Sequence, residues 1–208
     1  MENKLVLILG GARSGKSRFA QEMAARVSDR VIFVATAVPG DEEMRTRIEK
    51  HRRERPSAWR LLEAPRAIGR RLAANLDGVD VVILDCVTLL VANVFLTGRS
   101  APWRKEEPPA DPFGAVREEI DEFLDVVRRH PVLCLVVSNE VGTGIVPENR
   151  LARRYRDALG IVNQLLAREA DEVYLMVAGI PLCVKKAGTL PRPQGNENKG
   201  HDTGVGEP

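Results

Sequence analysis

The residues best suited to chemistry lie near the start of the chain, in the segment Gly10-Gly-Ala-Arg-Ser-Gly-Lys-Ser17. This segment matches the phosphate-binding pattern G-x-x-x-x-G-K-[ST], which follows a strand and opens a helix. Glycines let backbone N–H groups turn towards phosphate oxygens, and the helix N-terminus adds positive potential. Lys16 is suited to the β- and γ-phosphates, and the Ser17 hydroxyl to Mg²⁺. We therefore predict a nucleoside triphosphate site formed by Gly10, Gly11, Ala12, Arg13, Ser14, Gly15, Lys16 and Ser17.

A carboxylate at the end of a neighbouring strand is expected to complete this site. Asp85 directly follows the apolar run Val81-Val-Ile-Leu84. An acidic residue in that position holds the metal ion or its water in enzymes with such a loop. Asp85 also precedes a helical run, so capping that helix is an alternative role, and the two roles are compatible. Ser17 and Asp85 are the predicted Mg²⁺ ligands.

Three small residues, Ala35, Thr36 and Ala37, follow the second apolar run of the chain. Ligands of open α/β sheets bind at the carboxyl ends of the strands, so these positions are candidate nucleotide contacts. From position alone, Thr36 either contacts the nucleotide or only ends the strand.

The segment from Asp41 to Arg60 begins with acidic residues and ends with basic ones, the polarity that a helix dipole favours. Met44, Ile48 and His51 share one helical face, which predicts that His51 points towards the protein. The basic residues around His51 favour a neutral, nucleophilic imidazole, and their guanidinium groups suit phosphates. A solvated basic helix with an incidental histidine explains the same residues, so both interpretations remain open at this point.

The elements that must position these residues are apolar runs alternating with amphipathic stretches. Uninterrupted apolar strands indicate burial on both faces and hence a mostly parallel sheet. The order predicts an α/β fold with helices on both faces of the sheet and an antiparallel edge strand after the turn at Gly179-Ile-Pro181. The predicted strands are 5–9, 31–35, 79–84, 132–138, 172–177 and 182–185.

Composition limits the remaining possibilities. The chain has 208 residues and a net charge of +2, which argues against a nucleic-acid-binding protein. No apolar run approaches the ~18 residues of a membrane span, and no signal peptide is evident, so we expect a cytoplasmic enzyme. Residues 1–186 are predicted to form one catalytic domain, 98–114 an exposed Pro-rich loop, and 187–208 a disordered tail.

Taken together, these motifs resemble the bifunctional adenosylcobinamide kinase/adenosylcobinamide-phosphate guanylyltransferases of cobalamin biosynthesis. The resemblance runs from Leu5 to Lys185. Besides the phosphate-binding loop it is carried by Ala35-Thr36, His51-Arg-Arg-Glu-Arg-Pro56, Asp85-Cys86, Ser138-Asn-Glu-Val-Gly142 and Gly144-Ile-Val-Pro-Glu-Asn-Arg-Leu-Ala-Arg153.

The resemblance implies a RecA-like P-loop NTPase fold, a homotrimer and two successive reactions. ATP or GTP phosphorylates the corrinoid adenosylcobinamide, and GTP then donates GMP to the resulting phosphate through a GMP–histidine intermediate. His51 stands at the position of that histidine. The resemblance also implies nucleotide contacts from Arg52, Arg53, Glu54, Arg55, Glu63 and Asp85.

The sequence departs from this family at one functional position, since many members carry Glu where Asp85 stands. Two rival functions use the same phosphate-binding loop. A simple small-molecule kinase would need Lys16, Ser17 and Asp85 but not His51. A nucleotide-dependent regulatory ATPase would act through binding more than through turnover.

Overall fold

A computed structural model describes residues 3–53, 55–95 and 111–186. The predicted contact Glu54, most of the Pro-rich loop and the predicted tail 187–208 lie outside these ranges. The strands are β1 (Lys4–Gly10), β2 (Val31–Ala35), β3 (Arg60–Glu63), β4 (Val81–Asp85), β5 (Leu133–Val137), β6 (Glu172–Val177) and β7 (Ile180–Lys185). The helices are α1 (Lys16–Ala25), α2 (Glu42–Arg53), α3 (Ile68–Ala73), α4 (Val87–Phe95), α5 (Pro112–Arg128) and α6 (Arg150–Glu169).

The strands form one sheet in the order β3-β2-β4-β5-β1-β6-β7. All neighbours are parallel except β6 and β7, which are joined by a tight turn. The predicted mostly parallel sheet with an antiparallel edge strand is therefore confirmed. Because β5 lies between β1 and β4, the phosphate-binding loop and Asp85 flank the carboxyl end of β5.

Helices cover both faces of the sheet, as predicted, and the alternation of side chains along each strand supplies both cores. On β1, Val6 and Ile8 face α1, whereas Leu5 and Leu7 face the opposite side. That opposite side is the larger core, packed by α3, α4, α5 and α6. The central strands are thus buried on both faces, which explains why their sequences are uninterrupted apolar runs.

Several elements differ from the sequence-based expectation, and β7 begins at Ile180, within the predicted turn. The short strand β3 was not predicted, because its charged ends and exposed side chains give it no apolar run. The loop predicted at 98–114 ends earlier than expected: Asp111 caps α5, its carboxylate accepting from the Phe113 N–H at 3.1 Å, and Pro112 occupies the first turn. Helix α6 begins after Asn149, whose side chain caps it and accepts from the Leu151 N–H at 2.8 Å.

Within residues 3–53, 55–95 and 111–186, no helix is long and apolar enough to cross a membrane.

Candidate active site

The phosphate-binding loop joins β1 to α1 at the carboxyl edge of the sheet. Gly10 has a φ of +149°, and a Cβ there would lie 2.6 Å from the Met176 carbonyl oxygen, so only glycine fits. The Glu140 N–H donates to the Gly10 carbonyl at 3.1 Å, and the Gly179 N–H donates to the Ser14 carbonyl at 3.0 Å. Neighbouring segments therefore hold the loop from both sides. Its predicted contacts Gly11, Ala12 and Arg13 are exposed.

Lys16 is buried at the centre of this loop, with 7% of the residue exposed. Its Nζ donates to the carbonyls of Gly10 at 2.9 Å and Gly11 at 2.6 Å. Burial lowers the pKa of the Lys16 ammonium, while the nearby Cys86 and Asp85 act in the opposite direction. The cation is thus held inside the loop, where the phosphates of a triphosphate would meet it.

Asp85 ends β4 beside the first turn of α1, where Ser17 hydrogen-bonds to its carboxylate. Burial raises the pKa of the Asp85 carboxyl, and the Ser17 hydrogen bond opposes that rise. The charges of His51, Lys16 and Arg55 also oppose it, in that order. The two residues predicted as metal ligands are therefore close together, and the predicted nucleophile acts electrostatically on one of them.

A hydroxyl and a carboxylate beside a phosphate loop fit Mg²⁺, which usually takes one or two protein oxygens together with phosphate oxygens and water. Within the part of the chain that the structure describes, no three His, Cys, Asp or Glu side chains cluster to hold a metal. A cation here would therefore depend on the triphosphate as well as on Ser17 and Asp85.

Thr36 is fully buried at the end of β2. Its hydroxyl donates to the Cys86 carbonyl at 2.7 Å and accepts from the Cys86 N–H at 2.9 Å. Asn93 donates to the Thr36 carbonyl at 2.8 Å. These bonds tie the end of β2 to the end of β4, so the Thr36 hydroxyl helps to position Asp85. Ala35 and Ala37, on either side of it, are partly buried.

The predicted helix around His51 is confirmed as α2. None of its twelve residues, all within the described part of the chain, is buried, but Met44, Ile48 and His51 are partly covered, as the helical periodicity predicted. Arg55 joins the end of this helix to the sheet. Its Nε donates to the His51 carbonyl at 3.0 Å, and its guanidinium lies 4.3 Å from the centroid of the Phe33 ring on β2.

The other predicted residues of this segment take different positions. Arg52 forms a salt bridge with Glu63 at the end of β3. Arg53 is exposed, and its guanidinium lies 3.8 Å from Glu49. Burial, helped by the neighbouring Arg52, lowers the pKa of Arg55. A cavity of about 370 Å³ opens beside this segment and is lined by Phe33, Arg52, Arg53, Arg55, Pro56, Ser57, Trp59, Arg60 and Leu61.

Only some residues of one hydrogen-bond chain that supports the site could be recognised from the sequence. The Ser138 hydroxyl, buried at the end of β5, donates to Asn163 on α6 at 2.7 Å. Asn163 in turn donates to the Asn139 carbonyl at 3.0 Å, and the Asn139 N–H donates to the Thr88 hydroxyl at 2.8 Å. This chain of bonds fixes the segment between the phosphate loop and Asp85. Ser138 and Asn139 belong to the motif Ser138-Asn-Glu-Val-Gly142. Asn163 could be noticed in the sequence only as a polar residue beside the apolar residues of α6.

The comparisons with known proteins agree with this geometry. Residues 6–184 match the family model described as cobinamide kinase / cobinamide phosphate guanyltransferase. The chain is 40% identical over 183 residues to the bifunctional adenosylcobalamin biosynthesis protein CobU of Salmonella typhimurium, covering 87% of this chain and 99% of the relative. It is 38% identical over 179 residues to CobP of Pseudomonas aeruginosa, covering 86% and 96%.

Solved structures with a similar chain trace include a KaiC-like protein from Pyrococcus horikoshii. The TM-score is 0.48 at 14% identity, and the match covers 84% of this chain and 71% of that one. The RadB recombinase has a TM-score of 0.45 and 16% identity, covering 84% and 74%.

Proposed function

The chain belongs to the cobinamide kinase / cobinamide phosphate guanyltransferase family, and we propose that it transfers GMP through a covalent adduct on His51. The enzyme phosphorylates adenosylcobinamide with a nucleoside triphosphate, ATP or GTP. It then transfers GMP from GTP to adenosylcobinamide phosphate, which gives adenosylcobinamide-GDP and pyrophosphate. The proposal concerns which residues carry out these two transfers.

The observation that carries the proposal is the position of His51 relative to the phosphate site. Arg55 anchors His51 beside Phe33 on β2, and β2 pairs with β4, which ends in Asp85. The charges of His51 and Lys16 both favour the ionised Asp85 carboxylate. A triphosphate held by the loop would therefore have an imidazole nearby, which a simple kinase or a regulatory ATPase does not require.

The guanylyl transfer balances as two displacements at one phosphorus. An imidazole nitrogen of His51 attacks the α-phosphorus of GTP; an N–P bond forms, the bond to the bridging oxygen breaks, and pyrophosphate leaves. An oxygen of adenosylcobinamide phosphate then attacks the same phosphorus. A P–O–P linkage forms, the N–P bond breaks, and the imidazole is regenerated.

The phosphate loop serves both reactions in this proposal. Backbone N–H groups of 10–17 bind the phosphates, and Lys16 neutralises charge that develops on the β- and γ-oxygens. Ser17 and Asp85 would hold Mg²⁺, which when bound neutralises phosphate charge. The resemblance supports further nucleotide contacts from Arg52, Arg53, Glu54, Arg55 and Glu63, and the basic cavity adds support for the three arginines. For Thr36 we propose a positioning role only.

Mass spectrometry of the protein after incubation with GTP and Mg²⁺ tests the proposal. We expect one GMP adduct, mapped by peptide analysis to His51, that survives alkali and is lost in acid as a phosphoramidate should be. His130→Ala is the matched control, because that imidazole contacts the Val126 carbonyl at the end of α5 instead. An acid-stable, alkali-labile adduct, or an adduct that persists in His51→Ala, would contradict the histidine carrier. With no adduct on the wild-type protein, the simple kinase would become the better description.

A further inference from the structure

The loop between β5 and α6 exposes two apolar side chains that the proposed chemistry does not use. Ile145 is 96% exposed and Val146 is 57% exposed. Adjacent exposed aliphatic residues forgo the stabilisation that burial would provide. An apolar pair in this position therefore suits a surface that becomes covered when something binds.

Hydrogen bonds near both ends give this loop a defined path. At its start, the Glu140 carboxylate accepts from the Gly142 N–H at 2.7 Å. At its end, Arg153 on the first turn of α6 donates to the Pro147 carbonyl at 3.0 Å. The apolar pair lies between these two attachments, so it is presented on a tethered loop and not on a free chain end.

The attachments also place the loop at the phosphate site. Before the apolar pair, the Glu140 N–H donates to Gly10, the first residue of the phosphate loop. After it, the Tyr155 hydroxyl of α6 donates to the Thr88 carbonyl at 3.1 Å, three residues beyond Asp85. The segment that carries Ile145 and Val146 is thus joined on both sides to elements of the phosphate site.

We infer that Ile145 and Val146 form part of the acceptor site and pack against the corrin ring of the cobinamide substrate. This inference rests on the family activity stated under the proposed function, but not on the adduct at His51. In both reactions the corrinoid must bring its hydroxyl or phosphate to the nucleotide phosphates. Its macrocycle is large and carries many methyl groups, so an apolar surface beside the phosphate loop matches it chemically.

The test compares Ile145→Ser/Val146→Ser with Val27→Ser. Val27 is 45% exposed and follows the far end of α1, so it is a matched aliphatic control away from the phosphate edge.

Kinase rates are measured against adenosylcobinamide at saturating nucleotide, and GMP adduct formation is measured without corrinoid. We expect the KM for adenosylcobinamide to rise about tenfold or more in the double variant. The KM for the nucleotide and the rate of adduct formation should stay unchanged, Val27→Ser should match wild type, and Ile145→Leu should retain the wild-type corrinoid KM.

A corrinoid KM unchanged in the double variant would overturn the inference. It would also be overturned if the variant changed oligomeric state in sedimentation while its corrinoid KM stayed normal, because a second copy of the chain would then cover the loop. An equal loss of nucleotide affinity and adduct formation would overturn it as well, since the loop would then support the phosphate loop itself. Because the kinase assay does not involve His51 as a nucleophile, absence of an adduct in the wild type would contradict the His51 proposal and leave this test intact.

Discussion

The phosphate loop and α2, which we propose contribute to one site, are built in opposite ways. Lys16 is buried, and neighbouring backbone groups from Glu140 and Gly179 hold the loop that surrounds it. Helix α2 is exposed or partly covered along its whole length. It joins the sheet through the Arg55–Phe33 contact and the Arg52–Glu63 salt bridge. Few buried contacts mean low local stability, so α2 should open more readily than α1.

This difference suggests how one site supports two reactions. Binding of the triphosphate is common to both, and the groups that serve it are fixed within the sheet and the loop. The proposed nucleophile is needed only for the second reaction, and it stands on an element that could change without disturbing the core. Substitutions in the loop should therefore affect both activities, whereas substitutions in α2 should separate them.

The largest expected effect is that of Lys16→Ala. Because the proposal has the Lys16 ammonium neutralise charge on the phosphates in both reactions, both kinase and guanylyl transfer should fall by about a hundredfold or more. Steady-state assays of each reaction measure this, with Lys4→Ala as a control, since Lys4 forms only a partly exposed salt bridge with Glu172. Near-normal turnover of Lys16→Ala in either reaction would contradict a phosphate site shared by both reactions.

His51→Ala should separate the activities. The kinase reaction transfers the γ-phosphoryl group directly to the corrinoid hydroxyl, so measurable phosphorylation of adenosylcobinamide should remain. Guanylyl transfer should fall by about 10³-fold or more, because the covalent route is lost. Parallel assays of the two products, with His130→Ala as the control, measure the two losses separately. If a folded His51→Ala protein loses both activities together, His51 serves general nucleotide positioning.

A smaller effect is expected for Arg55→Lys. Lysine keeps the charge but loses the Nε–H that binds the His51 carbonyl and the planar group that stacks on Phe33. Guanylyl transfer should fall about tenfold, with a smaller change in the kinase reaction. Arg45→Lys is the matched control on the same helix, because Arg45 is exposed and its guanidinium lies 3.6 Å from Glu42, outside the proposed site. Equal losses in both reactions would place Arg55 in the shared phosphate site.

The same contrast explains what the sequence revealed. The phosphate loop could be predicted because its glycines and Lys16 are required by local geometry, and the central strands because burial on both faces leaves uninterrupted apolar runs. Strand β3 and Asn163 were not recognised, because their roles depend on partners distant in the chain. Thr36 shows the same limit: position placed it correctly at the sheet edge, but only the bonds to Cys86 reveal that it is a structural link.

The smallest expected effect concerns the stability of the phosphate side. Burial raises the pKa of Asp85, whereas an aspartate of the unfolded chain titrates at about 3.9. As the pH rises above that value, the unfolded chain loses this proton before the folded chain does. The stabilisation from the protonated carboxyl is complete below the unfolded pKa and is lost as the pH rises through the folded pKa.

Asp85→Asn keeps the shape and an acceptor for Ser17 but cannot ionise. We therefore expect the difference in Tm between Asp85→Asn and wild type to grow in favour of the variant between about pH 4 and pH 7. Thermal melts of both proteins across that range, with Asp77→Asn as an exposed control, measure this difference. A constant difference, or one that shifts towards the wild type as the pH rises, would mean that the charges of His51, Lys16 and Arg55 outweigh the burial of Asp85. The carboxylate would then stabilise the fold as well as serve the phosphate site, and the two sides of the site would be less different than their burial suggests.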